Sequence, residues 1–254
     1  MSEAIYAKQR LLRRYAPRND RKVKMFLEAK NLKKTFKHAK VNAVADVSFS
    51  LKKGETLGVV GESGSGKTTL AKLILRLLPL DAGEIYFEGH AIGRLKENEL
   101  KSFRKRVQVV FQEPTQALDP RMRVSDILKE SFWIQGQRDK NFLEGKVAEL
   151  LRAVELPLTF ASRYPHQLSG GECQRIAIAR AISTDPELIV CDEPVSSLDV
   201  LVQIQILNLL LKLQKEKGVS YIFISHDLKV VRHMSDELLT LKDGRAISQI
   251  RLQI

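Results

Sequence analysis

The chain has 254 residues, of which 44% are hydrophobic and 28% charged, and its net charge is +12. This composition is ordinary for a globular protein with its own core, and no stretch reaches the about 20 consecutive apolar residues of a membrane-spanning helix. The segment 1–24 lacks the apolar stretch of a secretory signal, and the two cysteines form neither a disulfide framework nor a metal-ligand spacing, which favours a reducing cytoplasm.

Half of the net charge lies at the N-terminus. Residues 1–24 carry eight Lys or Arg against two acidic residues, a net +6. One interpretation is an arm that meets anionic lipid or nucleic acid. The favoured one is a basic extension that is solvated and poorly ordered, or that precedes a true start at Met25. One domain is then expected from residue 25 to 254, whose remaining charge is too diffuse to predict a nucleic-acid groove.

The first half of this domain reads mainly as strands. A turn is predicted at residues 52–54, and a helix over residues 67–78 follows a glycine-rich segment and ends at Pro79. Strands are predicted over residues 26–29, 44–51, 56–60, 84–87 and 107–111.

Helical periodicity begins after residue 112. Residues 113–165 are predicted to form a helical insertion, with one helix around Val124, Ile127 and Leu128 and another whose apolar face is Val147, Leu150, Leu151 and Val154. The chain then returns to alternating elements. The prediction is a helix over 172–183, a strand over 188–191, a helix with Leu201, Ile204, Leu207 and Leu211 on its inner face, and a strand over 220–224.

A phosphate-binding loop lies between the strand at 56–60 and the helix after it. Residues 61–68, GESGSGKT, fit the pattern G-x-x-x-x-G-K-[ST]. Its glycines let successive backbone N–H groups point at the phosphates, and the start of the helix adds positive partial charge. Lys67 is expected to reach the β- and γ-phosphates, and the hydroxyl of Thr68 to ligate Mg²⁺. The loop therefore predicts binding of MgATP.

An acidic pair ends the apolar strand at 188–191. Asp192 is expected beside the metal through a water, and Glu193 at the position of an attacking water, as general base. An apolar strand that ends in carboxylates is a weak signal alone. Together with the phosphate loop it predicts hydrolysis of ATP.

A third motif carries a family resemblance. Residues 167–172, QLSGGE, precede the strand that ends at Asp192 and resemble the signature of ATP-binding-cassette (ABC) proteins, with Glu172 where the family usually has Gln. The resemblance extends along the chain from Met25 onward. It implies an α/β fold: a phosphate-loop NTPase domain of the ABC type, with an N-terminal antiparallel β part, a RecA-like mixed sheet core and a helical subdomain at about 113–180.

The resemblance also implies that two cassettes work head to tail. Ser169 and the backbone of Gly170 and Gly171 would then meet the γ-phosphate held by the opposite subunit. Asp199, in the sequence SLD, resembles the loop that crosses to the partner.

Three further positions follow from the resemblance. Phe36 stands where the family places an aromatic ring on adenine, Gln112 where a glutamine touches Mg²⁺ and water, and His226 where a histidine contacts the γ-phosphate. The expected catalytic residues are Glu193, His226 and Gln112, and the expected metal ligands are Thr68, Gln112 and Asp192. The expected nucleotide-binding residues are Phe36, Gly61, Glu62, Ser63, Gly64, Ser65, Gly66, Lys67, Thr68, Thr69, Ser169, Gly170, Gly171 and Asp199.

Among ABC proteins, the motif spacing favours a transporter subunit. The segment between Thr69 and Ser169 holds no sustained heptads, unlike the long coiled coil of DNA-repair relatives, and the chain has a single set of motifs, unlike translation-type relatives. A regulatory cassette would be expected to lack Glu193 or His226. The alternative that stays open is a soluble ABC ATPase acting on nucleic acid or ribosomes.

Several segments resemble the peptide/nickel importer subfamily. They are residues 110–114, 118–121, 164–169, 192–199 and 223–228. This implies a peripheral subunit at the cytoplasmic face of the cell membrane, with two membrane-spanning permease subunits, a second ABC ATPase (a different one or a second copy), an extracytoplasmic solute-binding protein and no specific nucleic acid. Because many peptide-importer cassettes continue beyond the position of Ile254, the choice between peptide and nickel stays open at this point.

Overall fold

The computed structural model describes residues 25–36, 41–93 and 95–252, so the predicted basic extension at 1–24 lies outside the described residues. Within them, ten strands form two sheets. The strands are β1 (Leu27–Phe36), β2 (Val41–Leu51), β3 (Thr56–Val60), β4 (Ala82–Phe87), β5 (His90–Ala91), β6 (Val107–Val110), β7 (Leu188–Asp192), β8 (Ser220–Ile224), β9 (Glu237–Lys242) and β10 (Arg245–Arg251). The first sheet has the order β2-β1-β4-β5, and the second has the order β10-β9-β3-β8-β7-β6.

Eight α-helices connect or cover these strands in the described residues. They are α1 (Lys67–Ile74), α2 (Glu97–Arg106), α3 (Pro114–Ala117), α4 (Val124–Ile134), α5 (Lys140–Ala153), α6 (Gly170–Ile182), α7 (Val200–Lys217) and α8 (Leu228–Met234). None of these helices combines the length and the apolar content needed to cross a bilayer.

The first sheet is antiparallel throughout. In β1 the pattern of burial alternates only in part, because bulges interrupt the pairing with β2. An ion pair at 2.8 Å joins Lys34 to Asp81, just before β4, and the other carboxylate oxygen of Asp81 accepts the backbone N–H of Thr35. These contacts fix the end of β1 against the start of β4.

The second sheet is mixed, since β10 runs antiparallel to β9 and the other pairs are parallel. Helices or the first sheet cover both of its faces, so β3, β7 and β8 are buried along their whole lengths. Along β7, Ile189 and Cys191 point into the core on the side of the helical insertion, whereas Leu188 and Val190 point into the core shared with the first sheet. This two-sided burial explains the unbroken apolar runs in the sequence.

The helical insertion comprises α3, α4 and α5 and packs on α6. Val124, Ile127, Leu128, Val147, Leu150, Leu151 and Val154 are all buried, which confirms the two predicted apolar faces. Arg180 near the end of α6 donates to the carbonyl of Ala117 at 2.6 Å, so the first helix of the insertion is tied to α6.

The predicted inner face of α7 is wrong in part. Leu207 is buried, but Leu201 is 74% exposed and Ile204 is 50% exposed, while Ile206, Leu209, Leu210 and Leu213 are buried. The segment is apolar on nearly all sides, so periodicity could not select the face. In the first turn of α7, Val200 and Leu201 are exposed and only Val202 packs against the core that the second half contacts.

Element ends differ by a few residues from the predictions. The helix from Lys67 ends at Ile74 instead of residue 78, because the backbone turns at Arg76 with a φ of 56°. The strand from Val107 ends at Val110, one residue early, and β1 and β2 are longer than predicted. Helix α2 was not predicted, since Leu100 and Phe103 are its only buried apolar side chains.

Candidate nucleotide-hydrolysis site

The order of the second sheet gathers the predicted site residues at one edge. Strands β3, β8 and β7 are parallel neighbours, and β6 follows β7, so their carboxyl ends meet at the same edge. The segments that leave these ends carry the phosphate loop, His226, the acidic pair and Gln112, respectively. In open α/β sheets this edge is where ligands bind.

The phosphate loop turns on glycines that no other residue could replace without strain. Gly64 and Gly66 have φ angles of 80° and 101°. A Cβ added to Gly66 would lie 2.1 Å from the carbonyl oxygen of Ala43 in β2. The loop therefore presses against the first sheet directly before α1 begins at Lys67, and it presents the free N–H groups of the helix start to the cavity.

Lys67 is held inside the loop. Its side chain is 6% exposed, and its ammonium donates to the carbonyl oxygens of Gly61 and Glu62, each at 2.8 Å. An ammonium that rests on two backbone carbonyls can exchange one of them for a phosphate oxygen without leaving the loop.

Asp192 and Thr68 face each other across the start of the cavity. The hydroxyl of Thr68 donates to a carboxylate oxygen of Asp192 at 3.4 Å. Burial raises the pKa of the Asp192 carboxyl, the hydrogen bond from Thr68 opposes this, and the nearby charge of Glu193 raises it further. A buried carboxylate destabilised in this way gains from a cation beside it, and oxygen ligands are those that Mg²⁺ prefers. The residues present therefore fit a magnesium ion.

Glu193 and His226 are in contact. The Nδ1 of His226 lies 3.1 Å from a carboxylate oxygen of Glu193, and the imidazole N–H donates to the carboxylate. The backbone N–H of Glu193 also donates to the carbonyl of Ile224 at 2.9 Å, which fixes the end of β7 against the end of β8. Glu193 has a φ of 50°, a left-handed conformation that costs energy in a non-glycine residue and is found at functional sites.

A cavity of about 460 Å³ borders all of these groups except Asp192. It is lined by Ala43, Ser63, Gly64, Gly66, Lys67, Thr68, Thr69, Gln112, Glu193 and His226. All of these except Ala43 were expected from the sequence. The contribution of Ala43 is a backbone contact from another sheet, which leaves no signal in a motif.

The remaining residues of the phosphate loop make hydrogen bonds within the loop or are buried in it. Gly61 and Glu62 accept from Lys67, and the N–H of Ser65 donates to the carbonyl of Glu62 at 3.1 Å. The hydroxyl of Ser65 is buried and has no hydrogen-bond partner in the described part of the chain.

The signature residues do not line this cavity but begin helix α6. Ser169 caps the helix, its hydroxyl accepts the N–H of Glu172 at 3.3 Å, and the carboxylate of Glu172 accepts the N–H of Ser169 at 2.7 Å. A Cβ added to Gly171 would lie 2.5 Å from a methyl group of Val202. Glu172, the one departure from the family pattern, thus completes the cap of the signature helix.

Three other expected residues also lie outside the cavity lining, and one of them, Asp192, contacts the lining residue Thr68. Asp199 caps α7 by accepting the N–H of Val202 at 3.1 Å. Phe36 ends β1, pairs with Val41 across the strand and is 39% exposed. The structure therefore brings the phosphate loop, Gln112, the acidic pair and His226 together, and leaves the signature, Asp199 and Phe36 outside.

A contact that the sequence did not indicate braces the phosphate loop. The turn between β9 and β10 places Gly244 against it: the N–H of Gly244 donates to the carbonyl of Ser65 at 3.1 Å, and its carbonyl accepts the N–H of Ala45 at 2.7 Å. Gly244 has a φ of 74°. The dipeptide Asp243-Gly244 predicts a turn, but not what the turn touches.

A sheet whose parallel strands carry this loop and an acidic pair at their carboxyl ends is the arrangement of phosphate-loop NTPases. Comparison with protein families gives a match of residues 44–196 to the family described as ABC transporter. The chain is 45% identical over 228 residues to the oligopeptide transport ATP-binding protein OppF of Streptococcus mutans serotype c, covering 88% of this chain and 74% of that protein. It is 50% identical over 229 residues to the oligopeptide transport ATP-binding protein AppF of Bacillus subtilis, covering 86% of this chain and 70% of that protein.

A solved structure is similar along most of the chain. It is the ATP-binding cassette MJ0796, in a dimeric post-hydrolysis state bound to ADP and Pi, with a TM-score of 0.80 and 32% identity over 90% of this chain and 99% of that one. The chain belongs to the ABC transporter family and is an ABC-type ATPase. This confirms the family and the fold expected from the signature, the phosphate loop and the acidic pair.

Proposed function

We propose that this chain is the ATP-hydrolysing subunit of a membrane importer for oligopeptides or dipeptides. The observation that carries ATP hydrolysis is the contact between Glu193 and His226 at 3.1 Å, both of which line a cavity together with the phosphate loop. The names of the relatives support peptides as the cargo rather than nickel. The proposal of a peptide cargo thus rests on similarity to these relatives.

The site residues have separate tasks in this proposal. Backbone N–H groups of the loop and Lys67 hold the phosphates, while Phe36 stacks on adenine. Glu193 takes a proton from the attacking water, and His226, which contacts Glu193, meets the γ-phosphate. Thr68, Gln112 and Asp192 would hold Mg²⁺, which would neutralise charge on the phosphates.

The signature residues of one chain do not reach its own nucleotide cavity in the described part of the structure. Ser169, Gly170 and Gly171 lie at the start of α6, outside the cavity. We therefore propose that they cap the nucleotide of a second cassette, a different chain or a second copy, with Asp199 crossing at the same interface. Closure of two such cassettes would use the binding energy of two ATP molecules. The helical insertion next to Gln112 would pass this movement to two permease subunits, which an extracytoplasmic binding protein supplies with cargo.

Substitution of the proposed base tests the ATPase mechanism. Glu193→Gln keeps the size of the side chain and removes its ability to take a proton, so we expect ATP turnover to fall about 100-fold or more while ATP binding persists. Turnover and binding of a fluorescent ATP analogue are measured in the complex extracted with mild detergent, because a lone cassette lacks its partner's signature. Glu216→Gln, on the exposed end of α7, is the matched control and should hydrolyse ATP at the wild-type rate. Turnover by Glu193→Gln at the wild-type rate would refute the assignment.

The same complex tests the transport proposal. The chain, tagged at its native locus, is expected to co-purify with two multi-span membrane proteins and a second cassette, at the cytoplasmic face of the membrane. Recovery of ribosomes or nucleic acid without a membrane protein would favour the alternative of a soluble ABC ATPase and would leave the ATP site intact.

Cells that lack the chain test the cargo. We expect uptake of a labelled oligopeptide to require the wild-type chain and to fail with Glu193→Gln, while uptake of radioactive nickel is the same in all three strains. Loss of nickel uptake with normal peptide uptake would overturn the choice of peptide.

A further inference from the structure

A second groove lies where β1 and β2 face the start of β10. Its volume is about 320 Å³, and it shares no lining residue with the nucleotide cavity. Its lining residues are Lys33, Thr35, Asn42, Val44, Ala45, Asp46 and Arg245. The two sheets of the fold thus both contribute to it, since Lys33 belongs to the first sheet and Arg245 to the second.

The charges in this groove are not paired with one another. Lys33 and Arg245 form no ion pair with any described residue, although many other basic side chains of the fold do. Asp46 accepts a hydrogen bond from the amide of Asn31 at 2.8 Å on one carboxylate oxygen and meets no cation within the described residues. The groove therefore presents two cations and one carboxylate to whatever enters it.

This charge set selects for a particular ligand chemistry. A free phosphate would be attracted by Lys33 and Arg245 but repelled by Asp46. A simple cation would be attracted by Asp46 but repelled by Lys33 and Arg245. A zwitterion carries both a carboxylate, which can pair with Lys33 and Arg245, and an ammonium, which can pair with Asp46. The volume is at the small end of the about 300–1,000 Å³ of ligand pockets, which limits the ligand to the size of an amino acid or a short peptide.

We propose that this groove binds a small zwitterion, an amino acid or a dipeptide, with its carboxylate on Lys33 and Arg245 and its ammonium on Asp46. The proposal stands on the charges and lining of the groove and does not depend on the cargo of the transporter.

The groove is also connected to the phosphate loop through main-chain hydrogen bonds. Arg245 follows Gly244, whose carbonyl accepts the N–H of Ala45 and whose N–H donates to Ser65 of the loop. A ligand that contacts both Arg245 and Asp46 would restrict the position of Gly244. It would thereby also restrict the backbone of the phosphate loop at Ser65. Occupancy of the groove is therefore expected to change the affinity of the nucleotide cavity for ATP by about fivefold, at the low end of couplings between sites.

Binding is tested by calorimetry on the full chain, with L-alanyl-L-alanine as the probe. We expect a Kd of about 1 mM or tighter. N-acetyl-alanine, which lacks the ammonium, and alanyl-alanine amide, which lacks the carboxylate, should each bind at least about tenfold more weakly. The first loses the contact with Asp46, and the second loses the contacts with Lys33 and Arg245. Titration of a fluorescent ATP analogue with and without the dipeptide measures the coupling.

Variants locate the ligand. Asp46→Asn keeps the hydrogen bond to Asn31 and tolerates the φ of 74° at this position, so it should fold and bind the dipeptide about tenfold more weakly. Arg245→Gln should have a similar effect, and Lys242→Gln, an exposed charge outside the lining, is the matched control with unchanged affinity. Thermal unfolding confirms that each variant is folded. The proposal is overturned if the dipeptide does not bind at 10 mM (about ten times the expected Kd), if inorganic phosphate binds as well as the dipeptide, or if both variants bind it normally.

Discussion

At the scale of single residues, the phosphate loop depends on the absence of a side chain at one position. Gly64 and Gly66 both have positive φ angles, but only Gly66 lies against another part of the fold, the carbonyl of Ala43. Around Gly64 nothing lies within 4 Å of an added Cβ. A substitution at Gly64 therefore introduces backbone strain alone, whereas a substitution at Gly66 introduces backbone strain and steric overlap.

Gly66→Ala should destabilise the protein more than Gly64→Ala. Both variants carry a left-handed alanine, which costs about 1–2 kcal/mol, and Gly66→Ala must also push the loop from β2, for about 1–3 kcal/mol more. The free energy of unfolding in urea measures the difference in stability. ATP binding should also be weaker in Gly66→Ala than in Gly64→Ala. Equal stabilities of the two variants would mean that the contact with Ala43 contributes no energy.

Much of the site could be predicted at this scale. The loop, the acidic pair, Gln112 and His226 are short motifs whose chemistry needs given residue types. The structure brings them together around the cavity, where Asp192 contacts the lining residue Thr68. Ala43 and Gly244 contribute backbone atoms, so their side chains carry no information about the contact. The tasks of the signature residues, Asp199 and Phe36 stay predictions, since in a single chain they lie outside the cavity.

At the scale of elements, the start of α6 is positioned by its contact with α7. Gly171 faces Val202 closely enough that a Cβ would lie 2.5 Å from its methyl group. Valine is stiff at χ1, so it cannot turn away cheaply. The distance between the signature helix and α7 is therefore set by a glycine.

Gly171→Ala and Gly145→Ala are expected to change stability in opposite directions. Gly145 lies within α5 with open space around it, so alanine there should stabilise the protein by about 0.5–1 kcal/mol. The same gain at Gly171 is outweighed by the displacement of α7, about 1–3 kcal/mol. Chemical denaturation measures both, and a stabilised Gly171→Ala would show that the two helices separate without cost.

Helices and strands with a clear apolar pattern in the sequence were predicted well, and those without one were not. The buried strands β3, β7 and β8 and the faces of α4 and α5 were evident because burial on one or both sides leaves a clear apolar pattern. Helix α7 was placed correctly, but its buried face was predicted only in part, since its sequence is apolar on nearly all sides. Helix α2 was missed, because propensity and tertiary contacts, not periodicity, hold an almost entirely polar segment in place.

At the scale of the whole molecule, a cluster of four charges joins the two sheets at the edge opposite the nucleotide cavity. Glu187, just before β7, accepts from Arg106 and from Lys53 (2.6 Å), and Arg106 also pairs with Glu88 after β4. The hydrogen bond from Arg106 is the main cause that lowers the pKa of the Glu187 carboxyl, and it lowers that of Glu88 as well. These carboxylates therefore stabilise the folded state in their charged form.

Removal of one carboxylate should make stability less dependent on pH. A lowered folded pKa contributes stability that is present above the unfolded pKa of about 4.3 and is lost as the pH falls through the folded value. Glu187→Gln should thus lose about 1–2 kcal/mol at pH 7, a range that allows for its partial exposure, and the gap to the wild type should close below about pH 4. Urea unfolding across this range measures the gap, and a constant gap would mean that packing, not charge, is lost.

The pairing of β3 with β8 and β9 also determines how early in its synthesis the chain can bind a nucleotide. The strand that leads into the phosphate loop lies between β8 and β9, and Gly244 braces the loop from behind. The loop ends where α1 begins, at Lys67, whereas β8 begins only at Ser220, so all three partners leave the ribosome long after the loop itself. A nascent chain that stalls before Ser220 contains the complete phosphate-loop motif but not the strands and the turn that hold the loop in place. ATP is therefore expected to stabilise only chains that have been synthesised beyond Gly244.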